Sequence, residues 1–425
     1  PHVMNEPTRP SRPSQAPRSI FDGSPDLTRR MFLAKTGAAT LGFAALDSQL
    51  IRGADANSKI NLGLIGCGGR GGWIADLFVK NGNYNVVALA DYFQDRVDQV
   101  GQKLGVPEGK RFTGLSAYKR LLEEKVDAVA IISPPYFHPD QAAAAVAAGK
   151  HVYLAKPIAV DVPGCQSIAD SGRTATANKR VFLVDFQTRA MPAYQEVLAR
   201  VQKGDIGKLV SVYAEYQTSL MFEDRDAELR KAPQDPEVRL RAWGIDRLLS
   251  GDVITEQNIH ALDVATWFAG THPLRAYGTG GRARPFLGDC WDHFSVQFDF
   301  PDDLVVTFTA KQVGFGFDDI MVRAFGMTGT AETNYGGKCW VKSREDYFEG
   351  ATDNIYQAGV EKNIATFHKA IIDEQCGNLT VEPSVRSNLT TILGRTAAYR
   401  KTEVTWEALL KANEKWEFDS KGLKS

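Results

Sequence analysis

The chain has 425 residues, 43% of them hydrophobic and 24% charged, with 50 Lys and Arg against 51 Asp and Glu. That length exceeds one typical core and predicts two domains, while the even charge balance, with no basic stripe interleaved with aromatics, argues against a nucleic-acid-binding protein. The five cysteines at 67, 165, 290, 339 and 376 include no Cys-x-x-Cys pair, a pattern that supports neither a zinc ribbon nor a disulfide scaffold.

The first 27 residues carry six prolines, too many for a packed element. Thr28-Arg29-Arg30-Met31-Phe32-Leu33-Ala34-Lys35 then leads into a mildly apolar stretch over 36–46. A twin arginine, a nearby phenylalanine and a weakly hydrophobic run predict a twin-arginine export signal and a periplasmic destination. Ala54-Asp55-Ala56 fits a small-x-small cleavage site before Asn57. An ordinary amphipathic helix on a cytoplasmic protein is the alternative. The apolar run is too short for a stable membrane span.

From residue 58 to 187 short apolar runs alternate with helical spacing. Strands are predicted at 60–65, 85–90, 127–133, 151–154 and 181–186, and helices at 73–80, 93–104, around 121–122, 142–148 and 162–178. That rhythm predicts an α/β fold, a Rossmann doubly wound parallel sheet. After 187 the rhythm changes. A helix at 193–203 precedes a long strand at 208–216, and 291–300 with 304–311 read as a hairpin around Pro301-Asp302-Asp303. The region 188–425 therefore reads as a second α/β domain with a mainly antiparallel sheet, closed by helices at 354–374 and 384–400.

Three features carry chemistry. Gly66-x-Gly68-x-x-Gly71, with Gly69 and Arg70 inside it, lies between a predicted strand and a predicted helix. Its glycines permit a tight turn and let backbone N–H groups approach a pyrophosphate at the positive end of the helix. Asp91 closes the second strand at near the spacing of about 20 residues where an acid accepts the ribose hydroxyls. Such a carboxylate repels a 2′-phosphate, so NAD is expected over NADP. An N-cap role for Asp91 is compatible with that contact.

The run from Ala148 to Pro157 is a helix end, a turn at Gly149 and a short strand that delivers Lys156 to a strand's carboxyl end, the edge where open parallel sheets bind ligands. A solvated surface lysine is the plainer reading of that run alone. In Gly251–Asp263, Glu256 and His260 lie four apart and share a face if the segment is helical. A histidine there can take a hydroxyl proton while hydride leaves the same carbon, and a carboxylate beside it would favour its protonated form. A structural histidine and half of a metal site are the other readings of the pair. No complementary ligand cluster accompanies it in the sequence, so no metal is expected.

Taken together, Gly66–Gly71, Asp91, Ser133-Pro134-Pro135-x-x-His138, Gly149-Lys150-His151-Val152 with Lys156-Pro157, and Glu256 with His260 resemble the Gfo/Idh/MocA oxidoreductases over roughly residues 58–400. That family includes glucose–fructose oxidoreductase and inositol dehydrogenase. The resemblance implies a Rossmann domain, then a domain whose large open sheet forms a homodimer or homotetramer face. It implies that Lys156, Glu256 and His260 face the nicotinamide, and that Ser133, Pro134 and His138 belong to the cofactor site. It also implies a proline-rich arm over 1–57 laid across a neighbouring subunit. Two positions depart from the family pattern: Ala155 stands where Glu normally precedes the lysine, and Glu256 stands where Asp is usual.

The expected activity is oxidation of a CH–OH group of a sugar or polyol, with the cofactor tightly bound and recycled in place, because an exported enzyme has no nicotinamide pool. The alternative from another class is a redox-neutral NAD-dependent glycosidase or lyase acting through a 3-keto intermediate. Arg189, Tyr216 and Trp243 are candidates to line a carbohydrate pocket, ordinary core aromatics being the plainer reading of the last two.

Overall fold

The computed structural model describes residues 59–352 and 354–425. The proline-rich arm, the export signal and the cleavage site fall outside them. In the first half, β1 (Ile60–Ile65), α1 (Gly69–Asn81), β2 (Tyr84–Asp91), α2 (Gln94–Leu104), β3 (Arg111–Thr113), α3 (Ala117–Leu122), β4 (Ala128–Ile131), α4 (His138–Ala147), β5 (His151–Ala155), α5 (Val162–Ala177) and β6 (Phe182–Asp185) alternate as the sequence pattern predicts. All six strands are parallel, in the order β3-β2-β1-β4-β5-β6. Buried on both faces, they are almost continuously apolar. Leu62, Leu64, Ala130 and Tyr153 pack to one side with Ile74 and Phe78 of α1. Ile131, Val152 and Leu154 pack to the other with Ala142 of α4 and Ile168 of α5. The order reverses between β1 and β4, so the crevice at their carboxyl ends is the place for a ligand.

The second half runs α6 (Gln187–Ala190), α7 (Pro192–Lys203), β7 (Leu209–Thr218), α8 (Glu223–Lys231), α9 (Pro236–Arg241), α10 (Arg247–Ser250), α11 (Val253–Glu256) and α12 (Ile259–Ala269). Seven strands follow: β8 (Arg275–Gly281), β9 (His293–Asp299), β10 (Val305–Gln312), β11 (Asp319–Gly326), β12 (Gly329–Asn334), β13 (Lys338–Ser343) and β14 (Tyr347–Ala351). Then come α13 (Ile355–Ile372), α14 (Val381–Arg400), β15 (Val404–Thr405) and α15 (Trp406–Ala412). The nine-stranded sheet has the order β14-β13-β12-β11-β7-β10-β9-β8-β15. Only β7 and β10 pair in parallel, and the predicted 291–311 hairpin is the β9–β10 pair. On β9 and β10 alternate residues are buried, Phe294, Val296, Phe298, Val306 and Phe308 facing the helices. Ser295 and Gln297 stand on the open side. That is the alternation of a sheet covered on one face.

The division at residue 187 does not hold for the helices that follow the sheet. Helix α13 returns to the Rossmann half, where Val360, Ile364 and Phe367 join the core under β1 and β5, and the Tyr84 hydroxyl donates to the Ile364 carbonyl at 3.1 Å. The nucleotide domain therefore borrows one of its covering helices from the region assigned to substrate. Phe367 is fully buried, its ring 5.7 Å from Tyr153 and 6.5 Å from Tyr84. Phe367→Ala is expected to cost about 3–5 kcal/mol, as large-to-small aromatic deletions in cores do. Urea denaturation should show one lowered midpoint. A first-half signal that melts unchanged while the rest shifts would contradict α13's place in that core.

Candidate functional site

The glycine loop has the geometry of a phosphate cradle. Gly66 sits at φ +95°, and a Cβ on it would come within 2.6 Å of the Ile132 carbonyl carbon and the Ser133 amide nitrogen. A Cβ on Gly71 would overlap the Gly66 carbonyl oxygen. Gly68 caps α1 without a side-chain acceptor, so the first N–H groups of a 13-residue helix stay free for an anion. Asp91 ends β2 beside this loop. Its Oδ2 accepts the Cys67 N–H at 2.7 Å and its Oδ1 the Phe93 N–H at 3.0 Å. Burial raises its pKa, against the pull of those two amides. Each oxygen keeps a lone pair for a ribose hydroxyl. Loop, Asp91, Ser133 and Pro134 all line one cavity of about 230 Å³. These features fit a dinucleotide.

His138 plays a different part from the one the resemblance implies. It is fully buried, and its ring nitrogens lie 2.8 Å from the Pro157 carbonyl and 2.7 Å from the Ser133 carbonyl. Burial pushes its pKa down to about 4. A neutral ring carries one N–H and donates it to one of these carbonyls, while the second carbonyl faces its other nitrogen, which encloses the ring between the Ser133 loop and the Lys156-Pro157 turn. Arg70 also departs from expectation. Its guanidinium turns away from the loop to Asp185 at 3.4 Å and the Tyr356 hydroxyl at 2.8 Å. There it lies over the Trp73 and Tyr356 rings, leaving its backbone to the cradle.

At the carboxyl end of β5 Lys156 reaches across to the second half. Its Nζ donates to the Glu256 carbonyl at 2.6 Å and lies 3.5 Å from Glu256 Oε1. The continuous helix that would set Glu256 and His260 on one face does not form: α11 ends at Glu256 and α12 starts at Ile259. The His260 N–H donates to the Gln257 carbonyl at 3.2 Å rather than to Glu256. The carbonyl that a continuous helix would satisfy internally is thereby freed for the ammonium. The start of α11 is fixed by Asp252, at φ 74°, whose buried carboxylate accepts from the Val253 and Trp291 amides and the Tyr399 hydroxyl.

His260 is buried between Tyr216, stacked at 6.5 Å, and Tyr335, edge-on at 5.5 Å. Its Nδ1 has no hydrogen-bond partner among the described residues. Burial first, then the charges of Lys156 and Arg70, hold its pKa well below the ordinary histidine value. This reverses the expectation of a carboxylate-stabilised imidazolium, because Glu256 faces the lysine and the charges acting on His260 are positive. Burial likewise lowers the pKa of Lys156, partly offset by Glu256. A neutral imidazole can accept a proton on its unprotonated nitrogen. The ammonium, with one donor in the Glu256 carbonyl and another near Oε1, has a third to offer.

Of the carbohydrate candidates, only Tyr216 stands at His260. Arg189 forks onto the fully buried Asp263 through Nε, at 2.9 Å, and Nη2. That ion pair commits the Nε and Nη2 side of the guanidinium to the protein. Trp243 lines the dinucleotide cavity. The residue the sequence reading missed is Asp185, buried at the end of β6. The β5–β6 register sets it beside Ala155, so a carboxylate absent from one strand end is present on the next. It accepts from Asn363 at 2.8 Å as well as from Arg70. An acid closing an apolar strand was the available signal. Among the described residues no three His, Cys, Asp or Glu side chains gather as a metal site, and no helix is long and apolar enough to cross a membrane.

Residues 60–186 match the family described as an oxidoreductase family with an NAD-binding Rossmann fold, and residues 194–332 match the GFO/IDH/MocA C-terminal domain. The chain is 25% identical over 279 residues to inositol 2-dehydrogenase of Acidothermus cellulolyticus, spanning 64% of this chain and 72% of that one. It is 26% identical over 123 residues to scyllo-inositol 2-dehydrogenase (NAD(+)) of Bacillus subtilis, 29% of this chain and 34% of that one. The crystal structure of scyllo-inositol dehydrogenase from Lactobacillus casei with NAD(H) and scyllo-inositol is similar with a TM-score of 0.65 at 17% identity, over 82% of this chain and 99% of the other. That likeness establishes the fold.

The depressed His260 pKa has a kinetic consequence. A proton acceptor must be unprotonated, so activity should fall only at pH values well below the histidine norm of about 6.5. The measurement is kcat/KM against pH with an uncharged substrate. An acidic limb at or above that norm would rule out a neutral His260 as the acceptor.

Proposed function

This chain belongs to the Gfo/Idh/MocA family of NAD-binding oxidoreductases, and from that premise we propose that it oxidises a ring carbinol of a sugar or polyol with a cofactor kept bound and regenerated in place. The observation that carries the reading is the trio of Lys156, Glu256 and His260 at the carboxyl edge of the Rossmann sheet. Lys156 bonds to the backbone of Glu256, while burial and the nearby positive charges keep His260 neutral. When bound, the nicotinamide supplies the hydride acceptor. With substrate bound, His260 would take the hydroxyl proton, and Lys156 would donate a hydrogen bond to that oxygen as negative charge develops on it. Tyr216 and Tyr335 offer flat apolar faces beside the imidazole, as suits a sugar ring.

Inositol and related rings are the substrate class of the named relatives, and an uncharged polyol suits a site whose own charges are paired: Lys156 with Glu256 and Arg70 with Asp185. Polar side chains on the open face of the second sheet, with Tyr277 and Phe325 exposed among them, support assembly through that face into a homodimer or homotetramer. The twin arginines at 29 and 30 support export to the periplasm. Replacing both by lysine should leave the protein in the cytoplasm, where cell fractionation would find it; normal export of that variant would dispose of the signal.

NAD should co-purify near one per subunit. Lys156→Ala and His260→Ala should each lower turnover by about a hundredfold or more, with bound NAD measured after denaturation little changed. Near-normal turnover in either variant defeats the assignment. Cleaved glycoside with no net change in nicotinamide absorbance would replace net oxidation by the redox-neutral reaction.

A further inference from the structure

We propose that Arg225, carried over the cofactor cleft by a segment of the second half, joins Arg96 in clamping the phosphates of the dinucleotide, and that residues 413–425 latch this segment in place. The proposal rests on the reading above that the chain binds NAD, and it says how the cofactor is retained.

The dinucleotide cavity has two walls. One is the glycine loop with Asp91 and Arg96; the other is Phe222, Arg225 and Trp243 from the stretch between β7 and α10. In an ordinary open sheet that second side is solvent. The Arg96 guanidinium fills the space a Cβ on Gly68 would take, directly over the amino end of α1. It rests on the Phe93 ring at 5.3 Å, and it makes no ion pair among the described residues. Arg241, which also acts on it, is already neutralised by a two-pronged bond to Asp95 at 3.0 Å. Among the described residues Arg225 has only its chain neighbour Asp224 as an ionic partner, at 3.5 Å. Two cations with little or no neutralisation, lining a cavity beside a helix amino end, make a concentration of positive charge with a single facing carboxylate, Asp91. A group with two negative phosphates relieves it; a neutral ligand does not.

The latch is independent of these charges. The Tyr92 hydroxyl donates to Glu237 at 2.6 Å, tying α9 to the end of β2. Phe418 packs among Tyr92, Phe93, Leu240 and Leu249, and its N–H donates to the Tyr136 hydroxyl at 3.0 Å. The Arg239 guanidinium lies over its ring. Farther along, the Lys424 carbonyl accepts the Leu115 N–H at 3.0 Å and the Lys424 N–H donates to the Tyr92 hydroxyl at 3.1 Å. The tail thus bridges the Rossmann loops to the roof of the cleft. Release of a bound dinucleotide then requires this apolar joint to open.

The test uses the full chain and follows NAD dissociation by the fluorescence of tryptophan, Trp243 being in the cavity wall. Arg225→Gln should speed NAD release about tenfold or more, as loss of a charge-assisted hydrogen bond does, and weaken ADP-ribose similarly while leaving adenosine affinity unchanged. Arg225→Lys should recover part of the loss. Phe418→Ala should speed release while preserving the ratio of ADP-ribose to adenosine affinity, since it opens the roof and leaves the phosphate contacts alone. Unchanged NAD release in Arg225→Gln overturns the clamp, and unchanged release in Phe418→Ala overturns the latch. Circular dichroism of both variants separates these results from misfolding. Wild-type protein that isolates free of NAD would defeat the retained-cofactor reading, whereas the variant-to-wild-type ratio of affinity for added NAD would still decide the clamp.

Discussion

The bond from Lys156 to the Glu256 carbonyl organises the molecule. It joins the end of a Rossmann strand to a backbone group of the second half, and it exists only because the helix breaks between α11 and α12. In an uninterrupted helix that carbonyl would accept the His260 N–H, and the lysine would be left desolvated with one distant carboxylate oxygen. A buried ammonium without a full set of acceptors is costly, so the break and the lysine require each other. The consequence reaches His260. Displaced by the break onto the first turn of α12, it lies buried between Tyr216 and Tyr335 rather than on a helix face shared with Glu256.

The charges around that bond are arranged in pairs. Glu256 serves Lys156, and Asp185 serves Arg70. His260 receives no carboxylate of its own, and the nearby positive charges add to burial in keeping it neutral. Breaking either pair would leave an uncompensated charge in a low-dielectric space. Asp185 has a second function in the architecture, because Asn363 of α13 donates to it as well. The helix that completes the nucleotide core is thereby tied to the same strand end that holds the arginine of the glycine loop.

The strand and helix order of the Rossmann half was legible because parallel strands buried on both faces read as unbroken apolar runs, and Gly66, Gly71 and Asp91 stand where backbone geometry leaves little choice. The hairpin at 291–311 was legible from alternation. The roof of the cleft was not. Its helices α8, α9 and α10 are short, and α8 is charged along most of its length, so no period identifies them. Residues 413–425 have no regular pattern either. Their structure comes from contacts with Tyr92, Tyr136 and Leu115, some three hundred positions earlier in the chain.

The sequence by itself determined the chemistry available: a glycine loop at a helix amino end, an acid closing the second strand, a lysine at a strand end, and a carboxylate and histidine four residues apart. Only the tertiary structure decided how those groups are used. Arg70 and Arg189 look alike as free arginines in a sequence, yet each finds a buried aspartate, Asp185 and Asp263, from a distant segment. His138 looks like a ligand-facing ring, yet a carbonyl faces each of its nitrogens. Residue type fixes what a side chain is able to donate or accept. Which partner it meets, and how much water is left around it, depends on contacts between positions far apart in the chain, and those same contacts set the charge of His260.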